Sequence, residues 1–174
     1  MDITDVILDQ HGEQRRMFAM LDEVPSSDAE TLAAVWKRLE ILLETHAEAE
    51  ERYFYPYLLR IGTGVADAAG VGDEVKDAVR DHNEIREAIR TVGEHAPGSD
   101  DWWKAVVECQ IANSEHMAEE ERQDLADFRQ HASLDLRHEI AVRFLRYESL
   151  KAANGIPPDD KDPDEYVAHP PADD

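Results

Sequence analysis

The sequence has little cysteine, little positive charge and no long apolar run, and each shortage excludes a class of protein. The single Cys109 cannot form an internal disulfide, which is typical of a chain kept in a reducing compartment. No apolar run approaches the roughly 20 residues that a membrane-spanning helix needs. Only 18 Lys and Arg stand against 40 Asp and Glu, and the formal charge of −22 repels nucleic-acid phosphates and anionic lipids. We therefore expect no nucleic-acid partner and no membrane partner.

The first residues also lack the pattern of a secretory signal. MDITDVILDQHGEQRR contains no basic segment followed by an apolar block and a small-residue cleavage site. Together with the cysteine count, this favours a cytoplasmic protein. A length of 174 residues fits one compact domain with a single core.

Apolar residues recur at helical spacing along most of the chain, and no segment shows the strict alternation expected of strands. Pro25 closes the first helix, a loop of small residues over 62–72 separates two halves, and the stretch HAPGS ends the third helix. The pattern predicts helices over about 3–23, 27–59, 73–94, 100–131 and 134–154. We therefore predict an all-α protein, with an up-down-up-down four-helix bundle in residues 1–132 and an additional C-terminal helix in residues 133–155.

The last segment, residues 156–174, differs in composition from the rest. It reads IPPDDKDPDEYVAHPPADD and contains five of the eight prolines. An acidic, proline-rich segment of this kind cannot build a core of its own. We predict an extended or disordered tail.

An internal repeat relates the two halves of the predicted bundle. His82 follows His11 by 71 positions, and the segments DQHGEQR and RDHNEIR share a His, a Glu two positions later and an Arg four positions later. His116 follows His46 by 70 positions, and HAEAEER aligns with HMAEEER. Each half therefore supplies one helix with a lone His and one helix with the pattern HxxxE.

Four imidazoles and two carboxylates in this pattern indicate a metal site. Residues four apart lie one turn above each other on the same helix face, so the His and Glu of each HxxxE pattern can direct two ligands at one point. Burying these groups without a partner is strongly unfavourable, and metal coordination satisfies them. Six ligands are too many for one tetrahedral zinc, so a pair of ions is expected, with iron favoured over manganese or zinc. The predicted ligands are His11, His46, Glu50, His82, His116 and Glu120.

The segments that carry these residues, DQHGEQRRMF, ETHAEAEERYFYP, RDHNEIREAI and SEHMAEEERQDL, resemble the hemerythrin-like, HHE cation-binding proteins. The likeness covers residues 1 to about 132. It implies a di-iron centre, oxo- or hydroxo-bridged, in which the four His are terminal ligands and Glu50 and Glu120 bridge the two Fe ions. It also implies a small diatomic or peroxide ligand and an unknown electron donor, in a monomer or a homodimer.

The sequence departs from the oxygen-storing hemerythrins at one ligand. Those proteins carry a His-x-x-x-His pair on one helix, whereas Arg86 stands four residues after His82 and Arg15 four residues after His11. The missing fifth His argues against reversible oxygen carriage. The resemblance is therefore to the bacterial branch with two HHE repeats, which is associated with nitric oxide, peroxide or iron handling.

Several residues near the motifs have an ordinary interpretation beside a functional one. Tyr53, three residues after Glu50, is a candidate catalytic residue, as a phenolate ligand or a hydrogen-bond donor to a bound ligand, with core packing as the alternative. Cys109 is interpreted as a small buried hydrophobe. The remaining histidines are expected at the surface: His95, His131, His138 and His169.

The charged residues that flank the predicted ligands are interpreted in the same way. Glu51 and Glu121 follow the two HxxxE patterns and are candidates to support the ligands or to act as spare ligands, but we expect them to be exposed partners of neighbouring arginines. Arg15 and Arg86 are expected to form ordinary ion pairs with nearby acids.

Three functional hypotheses agree with the predicted fold and the predicted ligands. The first, which we favour, is a di-iron protein that binds or reduces peroxide, dioxygen or nitric oxide at an open iron position. The second is a non-enzymatic oxygen or nitric oxide sensor, or an iron donor or storage protein. The third is a helical interaction module without metal. The sequence leaves open whether the protein is an enzyme.

Overall fold

The computed structural model describes residues 1–64, 70–152 and 154–171. Regular structure within these ranges is α-helical and contains no strand, which confirms the predicted all-α class. None of the helices in these ranges has both the length and the apolar character to span a membrane. The predicted loop over 62–72 lies partly outside the described residues. The helices are α1 (Ile3–Glu23), α2 (Ala29–Tyr53), α3 (Tyr55–Ile61), α4 (Val71–Gly93), α5 (Asp100–Arg122), α6 (Asp124–His131), α7 (Leu134–Lys151) and α8 (Pro163–Ala168).

The bundle consists of α1, α2, α4 and α5, and adjacent helices run antiparallel. In α1 and α2, His11 lies 5.1 Å from His46 and Phe18 lies 6.5 Å from Trp36, measured between ring centroids, so ascending positions of one helix meet descending positions of the other. Short connections enforce this arrangement. At the start of α2, the side chain of Asp28 accepts the backbone N–H of Thr31 and so caps the helix.

Two apolar clusters fill the interior, and a polar layer separates them. The heptad pattern of each bundle helix places large apolar residues toward both ends and the histidines in the middle. One cluster includes Ile3, Ile7, Phe54, Val75, Val79 and Phe128. The other includes Phe18, Leu21, Trp36, Leu39, Ile89, Trp102 and Cys109. The predicted ligands therefore lie midway along the bundle, shielded from water at both ends.

Helix breaks follow both HxxxE patterns. The first occurs at Phe54, between α2 and α3, where Pro56 lacks the N–H that a continuous helix needs. The second occurs at Gln123, between α5 and α6, without any proline. Asp127 of α6 accepts the backbone N–H groups of Thr63 and Gly64, at 2.8 and 3.1 Å, and so docks α6 beside the end of α3. The second break was not predicted, because tertiary contacts rather than local chemistry favour it.

The additional helix, α7, covers one side of the bundle. Its buried face contains Ile140, Ala141 and Phe144 and packs against α1 and α2. The ring of Phe144 lies 6.1 Å from that of His46. The helix therefore closes the polar layer on the side of α1 and α2.

The tail predicted over 156–174 to be extended or disordered is ordered where the structure describes it, over 156–171; together with residues 154 and 155 we call this segment the C-terminal strap. The strap contains α8 and packs against α4. Lys161 donates to Glu48 at 2.9 Å, Tyr166 is 6% exposed, and its hydroxyl donates to the backbone carbonyl of Glu51. Composition predicts that such a segment cannot form its own core, but Tyr166, Lys161 and the ion pair between Asp160 and Arg90 dock it onto the bundle.

Replacing Tyr166 with Ala should lower the free energy of unfolding by roughly 3 kcal/mol, because the substitution removes a buried ring and its hydrogen bond. Urea denaturation of the apoprotein measures this change. His169→Ala, at an exposed position just after α8, is the control and should change stability by less than about 0.5 kcal/mol. Equal stabilities of the two variants would show that the strap is only loosely attached.

Candidate metal centre

The six predicted ligands meet in the polar layer of the bundle. Each is at most 3% exposed. Their ligand atoms form two groups in which all atoms lie within 4.8 Å of one another. The first group contains His11, His46, Glu50 and Glu120, and the second contains Glu50, His82 and His116.

The Nε2 atoms of the imidazoles point toward the centre. His11 Nε2 lies 3.2 Å from Glu120 Oε2, and His46 Nε2 lies 3.0 Å from Glu50 Oε1. The two remaining imidazoles bring their Nε2 atoms within 3.0 Å of each other. A separation of about 3 Å is what adjacent ligands adopt around an ion with bonds of about 2.1 Å.

The Nδ1 atoms point outward, and each faces an oxygen acceptor. An acceptor at Nδ1 fixes the proton there and leaves the Nε2 lone pair directed inward, the tautomer that binds a metal. The four pairs are His11 with Glu121 at 3.0 Å, His46 with Gln10 at 2.6 Å, His82 with Glu51 at 2.9 Å and His116 with Asp81 at 3.5 Å.

Without a cation, the centre holds polar atoms that nothing satisfies. His11 Nε2, His46 Nε2, both oxygens of Glu50 and Glu120 Oε2 are buried and have no hydrogen-bond partner. Buried polar groups in folded proteins are nearly always paired, so this concentration requires an explanation. Imidazole nitrogen and carboxylate oxygen are the donors that iron, manganese and zinc accept. The residues therefore fit a metal pair.

Electrostatics in the centre favour neutral imidazoles. Burial, followed by the neighbouring His11 imidazole, places the pKa of His46 well below its usual range. Burial and His116 have the same effect on the pKa of His82. Both rings are therefore uncharged near neutral pH and offer lone pairs to a cation.

The two carboxylates have different environments. Burial, and then the charge of Glu120, raises the pKa of Glu50 well above its usual range. Burial also opposes ionisation of Glu120, but the contact with the His11 ring at 3.2 Å and the imidazoles of His116 and His46 outweigh it and lower the pKa of Glu120. A divalent cation would stabilise both carboxylates as anions.

Glu50 alone belongs to both groups. Its Oε1 lies 3.0 Å from His46 Nε2, and its Oε2 lies 3.3 Å from His82 Nε2. Glu120 belongs to the first group, and its Oε1 accepts the hydroxyl of Tyr55 at 3.2 Å. The resemblance implied two equivalent bridging carboxylates, whereas the geometry distinguishes them.

The tyrosine at the centre is Tyr55 rather than Tyr53. Tyr55 is fully buried, and its ring lies 5.7 Å from that of His82. The ring of Tyr53 instead packs at 5.7 Å against Tyr147, so its position does not support a catalytic role. Sequence reasoning missed Tyr55 because the helix break at Phe54 changes the direction of the residues that follow.

Of the remaining expectations about single residues, burial differs for Glu51, and also for Glu121 and His95, which are half-buried rather than exposed. Cys109 is buried, and burial raises its pKa to about 12, as suits an inert apolar residue. Glu51 is fully buried, contrary to the expected exposure. Of the histidines outside the centre, His95 is half-buried, and His131, His138 and His169 are exposed.

The outward partners of the histidines follow the internal repeat. The residue before each lone His, Gln10 or Asp81, contacts the His of the HxxxE pattern in its own half. The residue after each HxxxE pattern contacts the lone His of the other half. The alignment of the two halves places these four residues at equivalent positions, but only the fold shows which histidine each of them contacts.

The glutamates after the HxxxE patterns also bind arginines. Glu51 Oε1 accepts from Arg86 at 2.8 Å, and both side chains are 1% exposed. Glu121 Oε1 accepts from Arg15 at 2.7 Å, with the side chains 29% and 47% exposed. The expected ion pairs are thus present, one buried and one at the surface.

Gln10 connects the centre to α7. Its Oε1 accepts from His46 Nδ1, and its Nε2 donates to Glu148. Burial raises the pKa of Glu148 to about 7, although the hydrogen bond from Gln10 acts in the opposite direction.

This pKa predicts a pH-dependent stability. The folded protein binds the proton of Glu148 more tightly than the unfolded chain, whose carboxyl titrates near 4.5, so the stabilisation by Glu148 is lost as pH rises from about 4.5 to 7. Glu148→Gln keeps an acceptor for Gln10 and removes the charge. Its stability relative to wild type should rise across this range in denaturation of the apoprotein, with Glu139→Gln as the exposed control on the same helix. A constant difference across the range would contradict this assignment.

Comparison with known proteins agrees with this geometry. The sequence profile described as Hemerythrin HHE cation binding domain matches residues 2–127. No curated protein and no solved structure matches the chain. The match covers all six predicted ligands, the four bundle helices and more than half of the chain. The chain therefore belongs to the hemerythrin HHE cation-binding domain family.

Proposed function

We propose that this protein holds two iron ions between the six residues and uses them to bind or reduce a small oxygen or nitrogen species, such as peroxide, dioxygen or nitric oxide. Family membership supports cation binding. The observation that carries the proposal is Glu50, whose two unsatisfied oxygens face His46 on one side and His82 on the other. The two HHE patterns of the sequence support the bacterial, two-repeat type within this family.

The two cation positions differ in the number of protein ligands. The first would be held by His11, His46, Glu50 and Glu120, and the second by Glu50, His82 and His116. Three protein ligands leave more coordination positions than four, so the second position is the place for an exogenous ligand. Manganese or zinc would fit the same donors, but these metals are less well suited to the proposed redox chemistry.

The chain's own residues prepare this position for a reaction. When bound, the iron ions would supply Lewis acidity and electrons. Burial, and then the charge of Glu120, raises the pKa of Tyr55 well above its usual range, so its hydroxyl stays protonated and can donate a hydrogen bond or a proton. The apolar clusters on both sides exclude water from the two ends of the layer.

Metal quantification tests the proposal. Protein purified anaerobically should contain about two irons per chain, His46→Ala should lose them, and the exposed control His138→Ala should retain them. Holoprotein should then consume peroxide or reduce nitric oxide over repeated turnovers. Absence of stoichiometric metal, with no effect of His46→Ala, would instead indicate a helical module without metal.

The C-terminal strap favours a second candidate function, a sensor without turnover. Lys161 and Tyr166 contact Glu51, which accepts the Nδ1 proton of His82, so the strap is linked to the second cation position. Hydrogen exchange of residues 154–171, compared between oxidised and reduced holoprotein, tests this candidate. Faster exchange in one state, with no turnover of peroxide or nitric oxide, would favour a sensor over an enzyme.

Replacing Tyr55 with Phe should preserve two irons per chain and slow peroxide consumption at least roughly tenfold, because the substitution removes only the hydroxyl. Tyr53→Phe is the matched control, since its ring lies against Tyr147, and it should retain the wild-type rate. Equal rates of the two variants would remove Tyr55 from the reaction.

A further inference from the structure

A strongly acidic cavity opens on the metal centre between α4, α5 and α6. Its volume is about 270 Å³. No Lys or Arg is among the described residues that line it. The lining residues are Glu74, Asp77, Ala78, Asp81, His116, Glu119, Glu120, Gln123 and Asp124. We call this cavity the acidic vestibule.

The vestibule runs from the surface to the centre. Asp77 and Glu119 are exposed and form its mouth, and Asp77 also pairs with Arg80. At the inner end are His116 and Glu120, two of the six residues of the metal centre. A cation that passes along the vestibule therefore meets acidic groups from bulk water to its destination.

The inner end contains an acidic group that the fold does not satisfy. Asp124 is 4% exposed and lines the vestibule, and its Oδ1 is buried without a hydrogen-bond partner. It lies one turn after Glu120 in sequence, beyond the helix break at Gln123. Leaving a carboxylate oxygen buried and unpaired is unfavourable unless a cation compensates it. This atom, independently of the number of acids, indicates a positively charged ligand.

We propose, on the basis of the proposed function, that the acidic vestibule is the loading site of the metal centre and captures divalent cations. Asp124 is a transient ligand of each cation before the cation is transferred to His116 and Glu120. Carboxylate oxygens suit hydrated Fe²⁺ or Mn²⁺, which exchange water for protein ligands in steps. A cleft lined by one sign of charge also raises the local concentration of counter-ions. Asp124 acts on the rate of loading and is not a ligand of the filled centre.

Loading kinetics with Co²⁺ test this proposal. Apoprotein is mixed with Co²⁺ at low ionic strength, and the visible absorption of bound cobalt is followed with time. Asp124→Asn and the double variant D77N/E119Q should both load roughly tenfold more slowly than wild type. Both should still reach two cobalt ions per chain at equilibrium. D77N/E119Q changes only exposed residues and provides the test should Asp124→Asn fail to fold.

A matched control separates the vestibule from overall charge. The variant D22N/E23Q removes the same two charges at exposed positions at the end of α1, outside the vestibule, and should load within twofold of wild type. Wild-type loading rates in both vestibule variants, or equal slowing in the control, would overturn the proposal. A final stoichiometry below two in Asp124→Asn would also overturn it, because Asp124 would then be a permanent ligand. Wild-type apoprotein that takes up no cobalt would instead overturn the proposed function.

Discussion

Replacing Glu50 with Gln should reduce the metal content from two ions per chain to at most one, because Glu50 is shared by both groups of ligand atoms. The same substitution should stabilise the apoprotein by roughly 1–3 kcal/mol, since both oxygens of Glu50 are buried without a partner in the absence of a cation. Metal analysis measures the first effect. Denaturation in the presence of a chelator measures the second.

The opposite signs of these effects distinguish a metal site from a structural carboxylate. Bound cations stabilise only the folded state, so the wild-type holoprotein should be more stable than both its apoprotein and the variant. Glu84→Gln, at an exposed position of α4, is the control and should change neither metal content nor stability. A destabilised Glu50→Gln apoprotein that still binds two metals would contradict the assignment of Glu50.

Replacing Glu51 with Ala should destabilise the protein by roughly 3–5 kcal/mol and weaken metal binding by about 10–100-fold. The loss of stability follows because Arg86, 1% exposed, loses its buried partner, and the nearest remaining carboxylate, on Glu48, is 4.0 Å away. The loss of affinity follows because His82 Nδ1 loses its acceptor. Denaturant unfolding and a competition titration with a chelator measure the two effects.

The internal repeat supplies the matched control for this prediction. Glu121 makes the same two contacts in the other half, to His11 and Arg15, but its ion pair is largely exposed. Glu121→Ala should therefore weaken metal binding by a similar factor and change stability by less than about 1 kcal/mol. If Glu121→Ala has wild-type affinity, the outward hydrogen bonds do not support the ligands. If Glu51→Ala is no less stable than Glu121→Ala, the buried ion pair does not hold the fold.

The residues that the sequence could not locate are those whose contacts are distant in the chain. Tyr55 was not predicted because the break at Phe54 rotates it toward His82, and Gln10 because its partner His46 lies on another helix. Asp124 gave no signal beyond its charge. It is exceptional only because the fold buries one of its oxygens without a partner.

The sequence alone predicted the four bundle helices and the six residues that meet between them, because helical spacing and the repeat of His and HxxxE are local patterns in the chain. Tertiary structure decided the rest. It docked the acidic C-terminal strap through Tyr166, broke α5 from α6 without a proline, and placed Glu50 rather than Glu120 in both groups of ligand atoms. These outcomes depend on which surfaces meet across the bundle, and burial there sets the charge and the partners of each group.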